Sequence, residues 1–250
     1  MQRYFIQLSY KGSRYAGFQK QHNANTIQTE VEKALRIFFR KEFALTGSSR
    51  TDAGVHALEN YFHFESEDPL LLGRAETGQG LNAILPRDIV IKRIFKVGPG
   101  AHCRFDAVSR TYKYYIYQNK DPFLEERAYY FPFKLNFSLL QEASAELLKH
   151  LDFTSFSKRN TQVRNFECII MESMWLIENN CLVYQVTGNR FLRGMVRGFV
   201  GTMLLVGRGK ISLAQFKSII SARDCSKADF SVPPQGLFLS KVAFPHIDIN

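Results

Sequence analysis

The chain has 250 residues, 45% hydrophobic and 22% charged, which is long enough for one large domain or two modest ones and is an ordinary globular composition. Its 33 Lys and Arg against 23 Asp and Glu leave a net charge of +10, which favours a polyanionic partner because each neutralised phosphate releases condensed counterions. Four dispersed cysteines (Cys103, Cys168, Cys181, Cys225) with no C-x-x-C, and six histidines with no H-E-x-x-H, argue against a metal site or a disulfide framework.

In the opening RYFIQLSY, Tyr4, Ile6, Leu8 and Tyr10 alternate, which predicts a strand. The same N-terminal stretch lacks the long apolar run of a signal peptide. After the polar loop KGSRYAGFQKQHNAN comes a predicted helix with Ile27, Val31, Ala34, Leu35 and Phe38 along one stripe, capped by Asn25 or Thr26. FALTGSSRTDAGVHALENYFHFE reads as a strand, a loop of small residues and a second strand. Residues 66–80 are polar and Gly-containing, with a helical turn at Pro69 to Leu72, and GLNAILPRDIVIKRIFKV gives a turn followed by an alternating strand.

The pattern restarts after Val108. SRTYKYYIYQ is a tyrosine-rich strand, and NFSLLQEASAELLKH a helix with a capping box of Ser138 and Gln141. FECIIMESMWLIENNCLVYQVTG forms two strands around an Asn179-Asn180 turn. Helices follow at about 190–206 and 213–222, the second opened by a capping box of Ser212 and Gln215, and GLFLSKVAF is a last strand. Within the first of these helices, MVRGFVGTMLLVG is too short to cross a bilayer and contains Arg197. Strand-helix-strand-strand thus occurs twice, which predicts an α+β fold with largely antiparallel sheets and two halves, 1–105 and 106–250. The expected setting is the cytoplasm, with no membrane partner.

Three constellations could carry chemistry. In TGSSRTDAGVH, residues 46–56, Asp52 is the only carboxylate between Glu42 and Glu59, and Arg50 stands two positions before it. In an extended loop residues 50 and 52 point the same way, Thr51 and Ala53 face the body, and Gly47 and Gly54 allow tight turns. An arginine beside a carboxylate keeps it ionised in a partly dry site, as a nucleophile or base requires. From the spacing alone, a solvated turn with a surface ion pair of negligible value is the favoured reading. A single D-A-G is not the paired D-T-G of an aspartic protease, no second carboxylate completes a glycosidase pair, and no phosphate-loop pattern is present. His56 and His63 have no third ligand nearby and are expected to be structural or substrate-facing.

Along SRTYKYYIY, Tyr112, Tyr114 and Ile116 share one face; Lys113, Tyr115 and Tyr117 share the other. A tyrosine among basic residues can stack on an unpaired base or carry a proton, although most of these rings must belong to a buried face. In GNRFLRGMVRGFVGTMLLVGRGK, Arg190, Arg193 and Arg197 fall on one face of the predicted helix, beside a stripe of Gly194, Gly198 and Gly201 suited to close backbone approach. Arg197, flanked by Val196, Val200 and Leu204, is expected to be partly buried and to need an anionic partner, with Asp52 a candidate.

G-S-S-R-T-D-A-G-V-H-A resembles the signature of the TruA family of tRNA pseudouridine synthases, usually G-x-G-R-T-D-A-G-V-H. YKGSRYAGFQKQHNANTIQTEVEKAL, LNAILPRDI, HCRFDAVSRTYKYYIY, LDFTSFSK, NRFLRGMVRGFVGTMLLVG and VPPQGLFL are similar to family blocks in family order, so the resemblance spans nearly the whole chain. It implies a pseudouridine synthase fold of two similar α+β halves around a central basic cleft. It implies isomerisation of uridine to pseudouridine in the anticodon stem-loop of tRNA, by base flipping, with no metal or cofactor, in a homodimer. Asp52 would be the catalytic carboxylate, attacking the sugar or taking its C2′ proton. Tyr112 would stack on the uracil and accept the C5 proton, Arg197 would pair with Asp52, and Arg50 would position the nucleotide. Leu237 would line the uracil pocket, with His56, Arg190 and Arg193 also on the substrate. Ser49 stands where the family usually has Gly, and Phe18 replaces a usual Trp. The alternative is a non-catalytic tRNA-binding protein or RNA chaperone that retains the fold.

Overall fold

The computed structural model describes residues 1–67, 75–159 and 163–245; the turn expected at Pro69 to Leu72 lies outside them. The chain divides into two compact units, 1–108 with 239–250, and 109–238.

The first unit is built on three antiparallel strands, β1 (Gln2–Tyr10), β3 (His56–Ser66) and β4 (Ile89–Val97), with β1 in the middle. The register sets Ile6 opposite Phe62 on β3 and Ile94 on β4. The short β2 (Thr46–Gly47) pairs with β3, setting Gly47 opposite Phe62. The alternation of Tyr4, Ile6 and Leu8 marks one buried face, but Phe5 and Gln7 on the other face are buried too. On that second face lies Phe244, the residue after the C-terminal strand β9 (Leu237–Ala243), which itself extends the sheet beside β3. The Phe244 ring lies 5.6 Å from Phe5 and 5.1 Å from Tyr61. Glu59 Oε1 accepts the Val242 N–H at 2.9 Å, so from Leu239 onward the chain belongs with this unit.

Helix α1 (Ile27–Phe39) buries Ile27, Val31, Ala34 and Leu35 of the expected stripe, whereas Phe38 at its end is exposed. Of the two candidate caps, Thr26 holds the end, its hydroxyl accepting the Thr29 N–H at 3.2 Å. The helix α2 (Ala75–Ile84) is not visible in the sequence periodicity, because AETGQGLNAI carries two glycines and little apolar pattern. Tertiary bonds support it. β4 carries an extra residue against β1, with Gln7 opposite Arg93 but Leu8 opposite Ile91. The Asn82 amide bonds both N and O of Ile91 there, each at 2.8 Å. Gly80 lets the Phe38 ring close over the helix, where a Cβ would meet Phe38 Cε2 at 2.3 Å.

The second unit repeats the plan. β5 (Ser109–Tyr117), β8 (Cys181–Gly188) and β7 (Ile170–Glu178) are antiparallel with β8 in the middle, and β6 (Tyr129–Tyr130) adds parallel to β5. The β7–β8 hairpin turns at Asn179 and Asn180 as expected, both at positive φ (49° and 62°), the geometry of a type I′ turn. Helices α3 (Phe137–Leu147), α4 (Met195–Gly207) and α5 (Leu213–Ser221) complete it. The Ser212–Gln215 capping box of α5 is present. The box expected on α3 is not. Asn136 caps that helix by accepting the Leu139 N–H, and Ser138 donates to Glu142 instead. Gln141 is drawn away to the backbone of Trp175, bonding its O at 2.7 Å and its N at 3.0 Å. α4 starts at Met195 rather than near 190, because Gly194 has φ +75° and breaks the turn before it. Among the described residues no helix is long and apolar enough to cross a membrane.

Candidate active site

The signature loop lies between β2 and β3 and is clamped from two sides. From the β-sheet, Ser48 N–H donates to Tyr61 O at 2.8 Å and the Asn60 amide holds Ser49. Thr51 Oγ1 shares a hydrogen bond of 2.8 Å with the Tyr10 hydroxyl. From the segment 12–18, Phe18 N–H donates to Thr51 O at 3.1 Å and Gly54 N–H to Tyr15 O at 3.3 Å. Gly12 N–H donates to His56 Nδ1 at 3.0 Å. The glycines of that segment are there for contact: a Cβ on Gly12 would lie 1.9 Å from Val55 O, and one on Gly17 (φ +115°) 3.0 Å from Thr51 O.

This frame sets the alternation of the loop. Ser49 and Thr51 are buried, Arg50 is exposed and Asp52 half-buried. Thr51 is thus inward as expected, with the more exposed Arg50 and Asp52 on either side of it. Ala53 does not face the body; it is exposed. The chain turns straight after Asp52, with Val55 N–H on Asp52 O at 3.2 Å and Gly54 at φ +78°, so the alternation ends there. Gly47 is needed for a ring, not a turn, since its Cβ would meet Phe18 Cε1 at 2.3 Å. The Ser49 Cβ is accommodated, and its hydroxyl is buried without a hydrogen bond among the described residues. His56 is buried in the frame behind the loop. His63 is buried as well, its Nδ1 accepting the Cys103 N–H at 3.3 Å, and burial lowers its pKa to about 4. Among the described residues no cluster of three or more His, Cys, Asp or Glu could hold a metal ion.

In the second unit Tyr112 sits on β5 opposite Val186 and meets Phe191 edge-on at 5.1 Å. Its neighbours on that face, Tyr114 and Ile116, are core. The Tyr114 hydroxyl donates to Pro233 O at 2.7 Å, and its ring lies against Gly236, where a Cβ would be 2.8 Å away. Leu237, the first residue of β9, is buried directly after that turn. On the other face Lys113 and Tyr115 both reach Glu178, and burial pushes the Tyr115 phenol up to about 12.

Arg190 and Arg193 do not share a helical face with Arg197. The break at Gly194 leaves them in the loop before α4. That loop is tied down on both sides: Arg110 Nη1 donates to Asn189 O at 2.9 Å, and Lys158 N–H to Arg193 O at 3.0 Å. Arg197 is on the helix and half-buried; its Nε donates to Val232 O at 2.8 Å and its Nη2 to Phe230 O at 3.4 Å. The glycine stripe admits the same segment. A Cβ on Gly201 would lie 2.3 Å from Asp229 O, and one on Gly198 2.8 Å from the Phe230 ring. Arg197, Tyr114 and the stripe together hold residues 229–236 against the helix and strand.

The chain matches the family described as tRNA pseudouridine synthase over residues 7–106 and 143–245. The chain belongs to the tRNA pseudouridine synthase family. It is 45% identical over 247 residues to the tRNA pseudouridine synthase A of Parabacteroides distasonis, covering 98% of this chain and 97% of the relative. It is 44% identical to that of Porphyromonas gingivalis (98% of each) and 37% identical over 241 residues to that of Bacillus subtilis (95% and 97%).

Within this family plan, several residues that position the loop were not singled out from sequence. In the sequence Asn60 and Tyr10 stand out only as strand positions, and Gly12 only as part of a loop. Asn60 did leave a signal, a carboxamide at an inward position of an otherwise apolar alternation, where a polar side chain must be hydrogen-bonded.

Proposed function

We propose that this protein isomerises uridine to pseudouridine in tRNA, with Asp52 as the catalytic carboxylate and the anticodon stem-loop as its target. Belonging to the tRNA pseudouridine synthase family carries the reaction. What supports the role of Asp52 is a loop clamped on both sides that buries Ser49 and Thr51 and turns Arg50 and Asp52 outward. A base inside a stem must first be extruded, at a few kcal/mol, and contacts between phosphates and a protein of net charge +10 offset that cost. Asp52 then acts on the ribose, at C1′ as nucleophile or at C2′ as base. The N1–C1′ bond breaks with its electron pair on the uracil, and the ring turns. C5 then bonds to C1′ as the carboxylate–C1′ bond breaks or as the C2′ proton returns, the C5 proton passes to a base, with Tyr112 the candidate, and N1 ends protonated. One carboxylate suffices because the uracil never leaves and no water has to be activated. Arg50 positions the nucleotide; Tyr112 and Arg197, on the motifs that carry them, serve the same reaction by stacking and by charge. Leu237, Arg190 and Arg193 take part in holding the substrate, and His56 acts through the loop it supports.

The test is to incubate the protein with unmodified tRNA and map pseudouridine nucleotide by nucleotide. Pseudouridine confined to the anticodon stem-loop is expected. None anywhere would overturn the function, and modification elsewhere would overturn the target site. A cytoplasmic homodimer completes the proposal; sedimentation as a monomer at micromolar concentration would remove the dimer.

A further inference from the structure

We infer that Asn60 is a positioning residue for this reaction, holding the Arg50–Asp52 segment through Ser49 on one side and, by way of Tyr10, through Thr51 on the other. The inference rests on the catalytic role proposed for Asp52. Asn60 is fully buried. Its Nδ2 donates to Ser49 O at 2.8 Å and to the Tyr10 hydroxyl at 3.1 Å. Its Oδ1 accepts Ser49 N–H at 3.3 Å and Tyr61 N–H at 2.8 Å. Both donors and both lone pairs of the amide are used, so a flipped amide would set its oxygen against Ser49 O.

The location explains why a side chain does this work. The β2–β3 ladder ends at Gly47 opposite Phe62. Two residues later Ser49 is bonded at both its N and its O by Asn60, so the amide extends the sheet for one residue where the backbone cannot follow. On the other side of β3, Leu8 faces Asn60 but Tyr10 faces Ala57, so β3 has an extra residue there. That bulge sits where the Tyr10 hydroxyl meets both Asn60 and Thr51 Oγ1. Arg50 is thereby bracketed by its two neighbours, each fixed to one buried amide–phenol pair. Packing alone would be served as well by Leu at this position; two of the four bonds of Asn60 go to Ser49, and a third reaches Thr51 through Tyr10.

The experiment uses two near-isosteric variants, Asn60→Asp and Tyr10→Phe, assayed beside the wild type for single-turnover rate, KM, tRNA affinity and melting temperature. Displacing catalytic groups by an ångström costs about a hundredfold. The expected result for Asn60→Asp is a kcat lower by about that factor near pH 8, with KM and tRNA affinity within a few-fold. Only the protonated carboxyl can donate to Ser49 O, so this variant should recover rate as pH falls, unlike the wild type. Tyr10→Phe should lose about tenfold in kcat, with no acid recovery. Folded variants with wild-type kcat and pH profile would overturn the inference, whatever happens to their melting temperature. If Asn60→Asp does not fold, Tyr10→Phe decides alone, and an unchanged kcat there rejects the idea. An inactive wild type would sink the proposed function as well; an active wild type with unimpaired variants would sink only the role of Asn60.

Discussion

Gly12→Ala puts one methyl group where the structure has a carbonyl. The new Cβ would lie 1.9 Å from Val55 O and 2.6 Å from Val55 C. Bringing the contact to the 3.0 Å that real side chains tolerate requires Gly12 and Val55 to part by about 1 Å. The obstacle is backbone on both sides, so no side chain can swing away. Overpacking of this kind costs about 1–3 kcal/mol, and loss of the buried Gly12 N–H to His56 bond adds about 1 kcal/mol. At about 2–4 °C per kcal/mol for a chain of this size, the melting temperature should fall by roughly 5–15 °C. The second effect is on rate. Val55 N–H is bonded to Asp52 O at 3.2 Å, so Asp52 moves with Val55. A displacement of about 1 Å at a catalytic group costs on the order of a hundredfold. The assay is release of tritium from tRNA labelled at uridine C5, since that hydrogen leaves when C5 bonds to C1′. Gly98→Ala, where a Cβ meets nothing within 4 Å, is the control and should match wild type in both readouts. Gly12→Ala with wild-type kcat and melting temperature would refute the clamp.

Three further outcomes follow from the same geometry. Ser49→Ala should be neutral or stabilising by up to about 1 kcal/mol in denaturant titration, because it removes a buried hydroxyl with no hydrogen bond among the described residues; a loss above that size would show that the hydroxyl has a role. Asn136→Ala should destabilise the protein by about 1 kcal/mol and Ser138→Ala by much less, since Asn136 and not Ser138 caps α3. The reverse order would contradict the cap. His63 has its folded pKa lowered to about 4 from 6.5 by burial. The unfolded chain therefore binds the proton first, and stability present above pH 6.5 is lost as pH falls towards 4. His63→Gln should flatten that part of the melting temperature profile, and an unchanged slope would reject the assignment.

Much of the fold was legible because its strands and amphipathic helices carry strong local periods. β1, α1, the β7–β8 turn and the α5 capping box all appear where the pattern placed them. The misses share a physical cause, a tertiary partner that local sequence does not name. α2 is held by the Asn82 bonds to Ile91 and by Gly80 under Phe38, not by its own pattern. Gln141 looked like half of a capping box but serves Trp175. The arginine face at 190–197 assumed an unbroken helix, and a single glycine at positive φ ends it. In the signature loop, the outward Arg50 and Asp52 followed from alternation, whereas the clamp of Gly12, Tyr10 and Asn60 depends on strands and loops far apart in sequence.

The most direct test of the mechanism is Asp52→Ala measured for pseudouridine formation and tRNA binding in the same preparation. The account predicts no detectable pseudouridine under single-turnover conditions with excess enzyme, while tRNA affinity and melting temperature stay close to wild type. Pseudouridine formed by that variant at a rate near wild type would remove Asp52 from the chemistry.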